Sequence, residues 1–461
     1  MSDRIFDDSK FDAAYDQALD SPKHDFPSKI NGENVASGIE DLLVSPVDDT
    51  IIFGRLQDPV PGTMKKAAED AARAFEMWSK SSPEERSRIL SAVADSIEKR
   101  LYRLAADVVL STGMVRKDAF AEAETCLEVV RQASKDAMNV KGKPRGVWGI
   151  IALESSPLAS VIGYSAAAIA AGNTVVMMPS GHCPRPVYAV FDLFEQAGLP
   201  DGVLNLVCDR TDRFATELSD DENVAGVVAS GCGKAMDDMI FLAVDDTLGY
   251  INEVKGMNPI VVSQPGDIKK AADSIIDSAF QNNGKGLYAT SKVIVSADDD
   301  RELTKAIVER LKDLNVNDPG EKECQMGPLM NKEEEKRLTG LLDSEAAYVV
   351  MGGKRVKKEY TENGLYYTPI LLTSVDPDDD IQYVDSGLPI LVIKQAAGAD
   401  AILQELDQTD CGLSVGVISS DSKLISKIKE FADEENLQVF VNTSSRSLKA
   451  ASKARAENFT V

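Results

Sequence analysis

The stretch "RGVWGIIALESSPLASVIGYSAAAIAAGNTVVMMPS", Arg145–Ser180, decides the fold. "GVWGIIAL" and "NTVVMM" are short apolar runs rich in Val, Ile and Met, and "LASVIGYSAAAIAA" between them has helix length. Apolar strand, apolar helix and apolar strand read as a βαβ unit of a parallel sheet, which is covered on both faces and so shows no polar alternation. Working toward the C-terminus, "PVYAVFDLFEQAG" predicts a further helix, and "GVLNLV" and "VAGVVAS" predict further strands. A second alternating set starts at "NPIVV", Asn258–Val262. It runs through "DIKKAADSIIDSAFQNN", "SKVIVS", "DDRELTKAIVERLKDL" and "LPILVIKQ" to "LQVFVN". Two α/β lobes follow, each a mainly parallel sheet covered by helices, with a hinge near "YINEVKG", Tyr250–Gly256. The expected division is 1–252, 253–441 and a short C-terminal segment, 442–461. Sheets of this kind bind ligands beyond the carboxyl ends of their strands, and the cleft between two such lobes is the expected small-molecule site.

Upstream of the first lobe's sheet the rhythm is helical, from Pro61 to Ala137. Ser82-Pro83-Glu84-Glu85 combines an N-cap, a proline at the first helical position and a Glu at the capping-box position. "RILSAVADSIEKRLYRLAADVVL" follows with apolar residues at helical spacing.

Bulk properties exclude several classes of function. The chain has 461 residues, 43% of them hydrophobic, enough for a large core and more than one lobe. Its 75 acidic and 50 basic residues give a formal charge of −25, with the acids spread along the chain, so nucleic acid and anionic membrane are excluded as expected partners. No apolar run reaches the ~20 residues of a membrane span, and "MSDRIFDDSKFDAAYDQ" lacks the basic start and apolar core of a signal peptide; a cytoplasmic location is expected. Six cysteines (126, 183, 208, 232, 324 and 411) have no CxxC spacing, and the only histidines are His24 and His182. Neither a zinc site nor a disulfide framework is expected, and His182 in "PSGHCPRP" reads as a loop residue rather than a base.

The chemistry-bearing stretch is "AFQNNGKGLYATSKVIV", Ala279–Val295. It reads as the end of a helix, a Gly-punctuated bend and a β-branched strand, a place where enzymes present a nucleophile. The bend itself holds no Cys, and no Ser or Thr with a base at hand.

The order of segments resembles the aldehyde dehydrogenase superfamily over nearly the whole chain. The landmarks are "RGVWGII", "AAAIAAGNTVVMMPS", "EQAGLPDGVLNLV", "VAGVVASG", "EVKGMNPIVV", "FQNNGKGLYATSKVIV", "MGPLMN", "YYTPILL", "GLPILVI" and "CGLSVGVIS". "HDFPSKINGENV" and "SKARAENF" look most like 1-pyrroline-5-carboxylate (glutamate semialdehyde) dehydrogenases. The resemblance implies an NAD(P)-binding, Rossmann-like first domain and a catalytic-type second domain. It also implies a reaction in which a Cys thiolate attacks the aldehyde, hydride leaves to NAD or NADP, and a Glu activates water.

Carried onto this sequence, the nucleophile position is Leu287, which cannot form the covalent intermediate. The general base falls on Glu253, followed by Lys255 where a glycine is usual, and the oxyanion donor falls on Ser155 instead of an Asn. Cofactor contacts fall on Met178, Pro179, Ser180, Gly231, Cys232 and Gly256. Met178 stands where a ribose-binding Lys is usual, and Gly181 where an acid is usual. "SGCGKAM", Ser230–Met236, resembles part of a G-x-G-x-x-G fingerprint without its last glycine, and Lys234 lacks the Ser or Thr of a P-loop. Asp385 is the nearest counterpart of the acid that orients the nicotinamide ribose. A β-hairpin before "RGVWG" and a Gly-rich loop and tail strand after "VFVN" also have no counterpart, which implies a monomer or a dimer made differently. Three readings remain open: a family member that has lost aldehyde oxidation, an enzyme in which Lys255, Lys285 or Tyr288 acts instead of Cys, and a protein that binds a nucleotide or other small anion without turnover.

Overall fold

The computed structural model describes residues 4–38, 40–209, 217–218, 220–232, 248–359 and 361–461. The chain divides into two compact units. Unit 1 is Met1–Thr112, Arg116–Glu253 and Ala450–Val461, and unit 2 is Gly113–Val115 and Val254–Lys449. The chain passes to unit 2 briefly at Gly113–Val115 and again after Glu253, within the Tyr250–Gly256 stretch. The C-terminal segment expected at 442–461 is shared, 442–449 staying with unit 2 and 450–461 returning to unit 1.

Unit 1 opens with α1 (Asp8–Leu19) and five short strands, β1 (His24–Phe26), β2 (Ser28–Ile30), β3 (Glu33–Val35), β4 (Glu40–Val44) and β5 (Ile52–Gln57). The helical run predicted from the sequence becomes α2 (Thr63–Trp78), α3 (Pro83–Glu98), α4 (Leu101–Thr112) and α5 (Arg116–Ala137). The Ser82 hydroxyl caps α3 by accepting from the Glu85 amide at 3.1 Å, as the Ser-Pro-Glu-Glu signal requires.

The alternating part gives β6 (Val147–Ala152), α6 (Ala159–Ala170), β7 (Thr174–Pro179), α7 (Arg185–Gln196), β8 (Leu204–Leu206), β9 (Val224–Gly231) and β10 (Gly249–Val254). Seven strands form one sheet in the order β10-β9-β6-β7-β8-β2-β3. β6 is parallel to both β7 and β9, and β7 to β8. All six residues of β6 and all twelve of α6 are buried, so both are apolar all round.

The C-terminal segment completes this unit. Lys143 and Val461 exchange two backbone hydrogen bonds at 3.1 and 3.0 Å, and Arg455 forks onto Asp136 at 2.7 and 3.0 Å. Phe459 is fully buried edge-on to Trp148, with ring centroids 4.5 Å apart. Trp148 in turn needs glycine opposite, because a Cβ at Gly226 would come within 2.7 Å of its ring. Between α5 and β6 the only strand-like pairing among the described residues is the bridge of Pro144 with Thr460.

Unit 2 follows with β11 (Ile260–Ser263), α8 (Ile268–Ala279), β12 (Lys292–Ser296), α9 (Asp300–Lys312), α10 (Lys332–Ser344), β13 (Val349–Met351), β14 (Ile370–Thr373), β15 (Ile390–Ala396), α11 (Gly398–Gln408), β16 (Ser414–Ser419), α12 (Ser422–Glu434) and β17 (Gln438–Val441). The sheet order is β13-β14-β15-β12-β11-β16-β17, parallel except for the edge pair β13 and β14. Ile260 and Val262 enter one core with α8 and α9, whereas Val261 enters another with α11 and α12. Successive side chains of β11 thus serve opposite faces, and both faces are covered.

Replacing Phe459 with Ala should destabilise unit 1 by about 3–5 kcal/mol, because the cavity beside Trp148 is walled by the sheet and cannot collapse. A urea unfolding series is the measurement, with the midpoint moving at unchanged slope.

Candidate functional site

The bend after α8 turns on an uncommon backbone. Asn282 (φ 45°), Asn283 (φ 56°) and Gly284 (φ 87°) are left-handed in succession, a conformation that Asn tolerates and Gly adopts freely. Gly284 is also required by proximity, since a Cβ there would lie 2.7 Å from the Leu388 carbonyl oxygen. The buried Asn283 amide donates to the carbonyls of Gly113 (3.1 Å) and Pro328 (2.9 Å), and its oxygen accepts from the Gly327 amide at 2.7 Å.

Leu287 lies past this turn with only 3% of its surface exposed. Its carbonyl accepts from the Asn258 side chain at 2.9 Å. The same NH2 group donates to the carbonyls of Ala289 (3.2 Å) and Gly256 (3.3 Å), while the Asn258 oxygen accepts from the Leu413 amide (3.2 Å) and the Ser414 hydroxyl (3.0 Å). Asn258 is fully buried and itself left-handed. Gly256, expected to meet cofactor, is packed against Gly412 and Asp410, where a Cβ would come within 2.6 Å of the Gly412 nitrogen.

Ser445 fixes the bend from the other side. Its hydroxyl donates to the Tyr288 carbonyl and accepts from Gln281, both at 2.7 Å, and its amide donates to the Ser278 hydroxyl at 3.0 Å. The Tyr288 hydroxyl accepts from Gln438 at 2.7 Å.

The cations near the bend are committed to carboxylates. The Lys255 ammonium is fully buried on Asp385 and also reaches the Ser291 hydroxyl at 3.2 Å, and Ser291 donates to that same carboxylate. Lys285 pairs with Glu334 at 3.1 Å, and Glu334 also accepts from the Met330 amide at 2.8 Å. Lys292 holds Glu405 at 2.6 Å and the Thr409 hydroxyl at 2.8 Å. Each of these buried amines is thus spent on an ion pair with a carboxylate from another element. The two thiols of unit 2, Cys324 and Cys411, are both buried. Cys324 donates to the carbonyls of Asn317 and Met326, and burial pushes the Cys411 thiol up to about 12.

In unit 1 Glu253 ends β10 with 1% of its surface exposed. Its carboxylate accepts from the hydroxyls of Ser160 (2.9 Å) and Ser230 (3.0 Å) and from the Ser452 amide (3.2 Å). Burial raises its pKa above the ordinary carboxyl value, and these donors, with Tyr164, pull it back. The Ser155 hydroxyl is buried and has no hydrogen-bond partner among the described residues.

Met178 and Pro179 end β7, both buried, and the Met178 side chain offers no donor. The Ser180 hydroxyl donates to Glu154 and accepts from the His182 amide. Gly231 is left-handed at φ 136° against Leu153, and Cys232 is half-buried. Lys234 and Met236 lie outside the described residues.

The structure thus joins Lys255 to Asp385, Gly256 to Leu287 through Asn258, and Ser230 to Glu253. Asn258, Asn283 and Ser445 were missed as site residues from the sequence. Asn258 stood in the quoted "NPIVV" and the left-handed pair in "QNNG", whereas nothing local marks Ser445.

Comparison with known proteins agrees with this architecture. The family model described as "Aldehyde dehydrogenase family" matches residues 41–451. The chain belongs to the aldehyde dehydrogenase family. Among relatives, it is 26% identical over 426 residues to an alpha-ketoglutaric semialdehyde dehydrogenase of Bacillus subtilis, covering 88% of this chain and 87% of the relative. It is also 26% identical over 435 residues to a 1-pyrroline-5-carboxylate dehydrogenase of Geobacillus, covering 88% and 83%. Among solved structures, 1-pyrroline-5-carboxylate dehydrogenase from Thermus with bound NAD superposes with a TM-score of 0.86 at 21% identity, over 96% of this chain and 92% of that one. Betaine aldehyde dehydrogenase from Staphylococcus aureus in complex with NAD+ gives 0.83 at 23%, over 90% and 86%. At these identities the structures establish the aldehyde dehydrogenase fold.

Asn258→Ala should cost about 3–5 kcal/mol in urea unfolding, because it strips partners from buried carbonyls and an amide at once. Glu253 gives a pH-dependent test. Its folded pKa is raised, so between the ordinary carboxyl value of 4.5 and the folded value the native chain holds a proton that the unfolded chain has released. Stability from this group therefore falls as pH rises through that window. Glu253→Gln, with no proton to lose, should gain on the wild type as pH rises above the ordinary carboxyl value of 4.5 toward the raised folded value. Thermal melts of both proteins across that range measure it.

Proposed function

We propose that this member of the aldehyde dehydrogenase family no longer oxidises aldehydes through a covalent thioester. The observation that carries the proposal is Leu287, a buried aliphatic side chain at the position where the family presents its thiolate. Two arrangements support it. Glu253 spends its carboxylate on two serine hydroxyls and a backbone amide, and Lys255 and Lys285 are ion-paired. The ion pairs, together with the engaged Tyr288 hydroxyl, also count against a replacement chemistry at those residues.

NAD or NADP enters by resemblance, through family membership and neighbours solved with NAD bound. The described residues do not fit a ribose where the family's Lys would hold one: Met178 is fully buried without a donor, and the Ser180 hydroxyl is given to Glu154. No catalytic step is therefore derived through the cofactor. The positive part of the proposal is a small-molecule ligand held without turnover, supported by the partnerless buried hydroxyl of Ser155. A monomer, or a dimer built differently from the family's, belongs to the same proposal, supported by the bare connection from α5 to β6.

The test is spectrophotometric assay of the wild-type chain with NAD+ and NADP+ against glutamate semialdehyde and betaine aldehyde, beside Leu287→Cys and calorimetric titration of both nucleotides. The wild type should reduce neither cofactor, at a rate roughly 10⁴-fold or more below an intact family enzyme. Leu287→Cys should fail to turn over continuously, because the carboxylate that would activate water is engaged. Steady reduction by the wild type would overturn the proposal.

A further inference from the structure

Unit 1 carries a concavity at the junction of α3 and α4, with a cavity of about 630 Å³. That volume lies within the ordinary range for small-molecule sites. Its wall holds five cations, Arg4, Lys10, Lys99, Arg100 and Arg103, and one carboxylate, Glu98. In a chain of net charge −25, with acids outnumbering bases by 75 to 50, such a concentration of positive charge runs against the composition.

Neutralisation within the pocket is incomplete. Glu98 is shared between Arg4 and Arg131. Lys10 has Asp7 at 3.4 Å, and Arg103 has Asp107 at 3.1 Å. Lys99 and Arg100 are exposed and have no ion-pair partner among the described residues. Their position follows from the chain path. α3 ends at Glu98, Lys99 is its C-cap, and α4 begins at Leu101. The two free cations therefore ride on the turn between the helices, beside the positive end of the α4 dipole.

Tyr102 adds an apolar wall. Its ring is half-buried, and its hydroxyl accepts from the Asp7 amide at 3.0 Å, which holds the ring in place. The ring also packs on Phe6 and Phe120, with centroids 6.1 and 4.8 Å away. A lined cavity with two unneutralised cations, one of them the Arg100 guanidinium, and a fixed aromatic ring suits a compact ligand of two or more negative charges. Arginine forks favour phosphate oxygens.

We propose that this pocket binds a small diphosphate-bearing molecule. The shared chemistry is the diphosphate group, free or carried by a nucleoside. The site uses none of the residues assigned above to the aldehyde dehydrogenase resemblance and does not depend on whether that reaction is lost.

The test is isothermal titration of the full-length chain with inorganic pyrophosphate and, separately, with ADP, at fixed ionic strength and with sulfate as the simple-anion control. Pyrophosphate should bind saturably at micromolar concentration and at least about 10-fold tighter than sulfate. Lys99→Glu with Arg100→Glu should abolish that binding, and Lys99→Gln with Arg100→Gln should weaken it about 10-fold or more, with the melting temperature unchanged because both side chains are exposed. Tighter binding of ADP than of pyrophosphate, lost in the same variants, assigns the nucleoside to the Tyr102 wall; equal binding assigns the ligand to the diphosphate alone. Absence of saturable pyrophosphate binding, equal affinity for sulfate, or undiminished binding by both double variants would overturn the proposal.

Discussion

The bend of unit 2 depends on one side chain, the amide of Asn258. It stands at the start of β11 and reaches the carbonyls of Gly256, Leu287 and Ala289 with its nitrogen, and the Leu413 amide and Ser414 hydroxyl with its oxygen. Three separate stretches of chain, around residues 256, 288 and 413, are thus held at one buried point. The irregular backbone between α8 and β12 cannot satisfy its own polar groups by helix or ladder, and Asn258 is fully buried. A left-handed backbone at Asn258 is the geometric condition that aims the amide, and asparagine is the L-residue that accepts that conformation most readily.

That arrangement leaves the side chain at residue 287 outside the network that shapes the bend. Every hydrogen bond that shapes the bend at residue 287 goes to the backbone carbonyl, and none needs the side chain. Leucine can therefore replace another small or medium side chain there without disturbing Asn258, Asn283 or Ser445. Its burial adds apolar contact where a thiolate would need solvation or a cation. The lysines around the bend take a structural part for a related reason. A buried ammonium is costly alone, so each is met by a carboxylate from another element: Asp385, Glu334 and Glu405.

Much of the fold was legible in the sequence because it was local. The strands of Arg145–Ser180, the capped start of α3 and the alternation after Asn258 follow from runs and caps a few residues long. The site was legible only as positions. Asn258 meets Leu287 at a separation of 29 residues, Ser445 meets Tyr288 at 157, and Asn283 meets Gly113 at 170. No periodicity encodes such pairs. The division at the end of the chain was hidden for the same reason, since the return of 450–461 rests on Arg455 with Asp136 and Phe459 with Trp148, residues far apart in sequence.

Glu253 carries the same lesson into chemistry. Identity alone suggested a general base, but what a carboxylate does depends on where its lone pairs are spent. Two hydroxyls and an amide link it, at the end of β10, to α6, β9 and the returning C-terminal segment. A base must alternate between free and protonated forms at the pH of its reaction, with an exposed oxygen facing water. A carboxylate fully enclosed by donors gains from staying in one arrangement, and each added donor makes leaving it more costly. Ser160, Ser230 and Ser452 supply those donors here, from three separate stretches of chain.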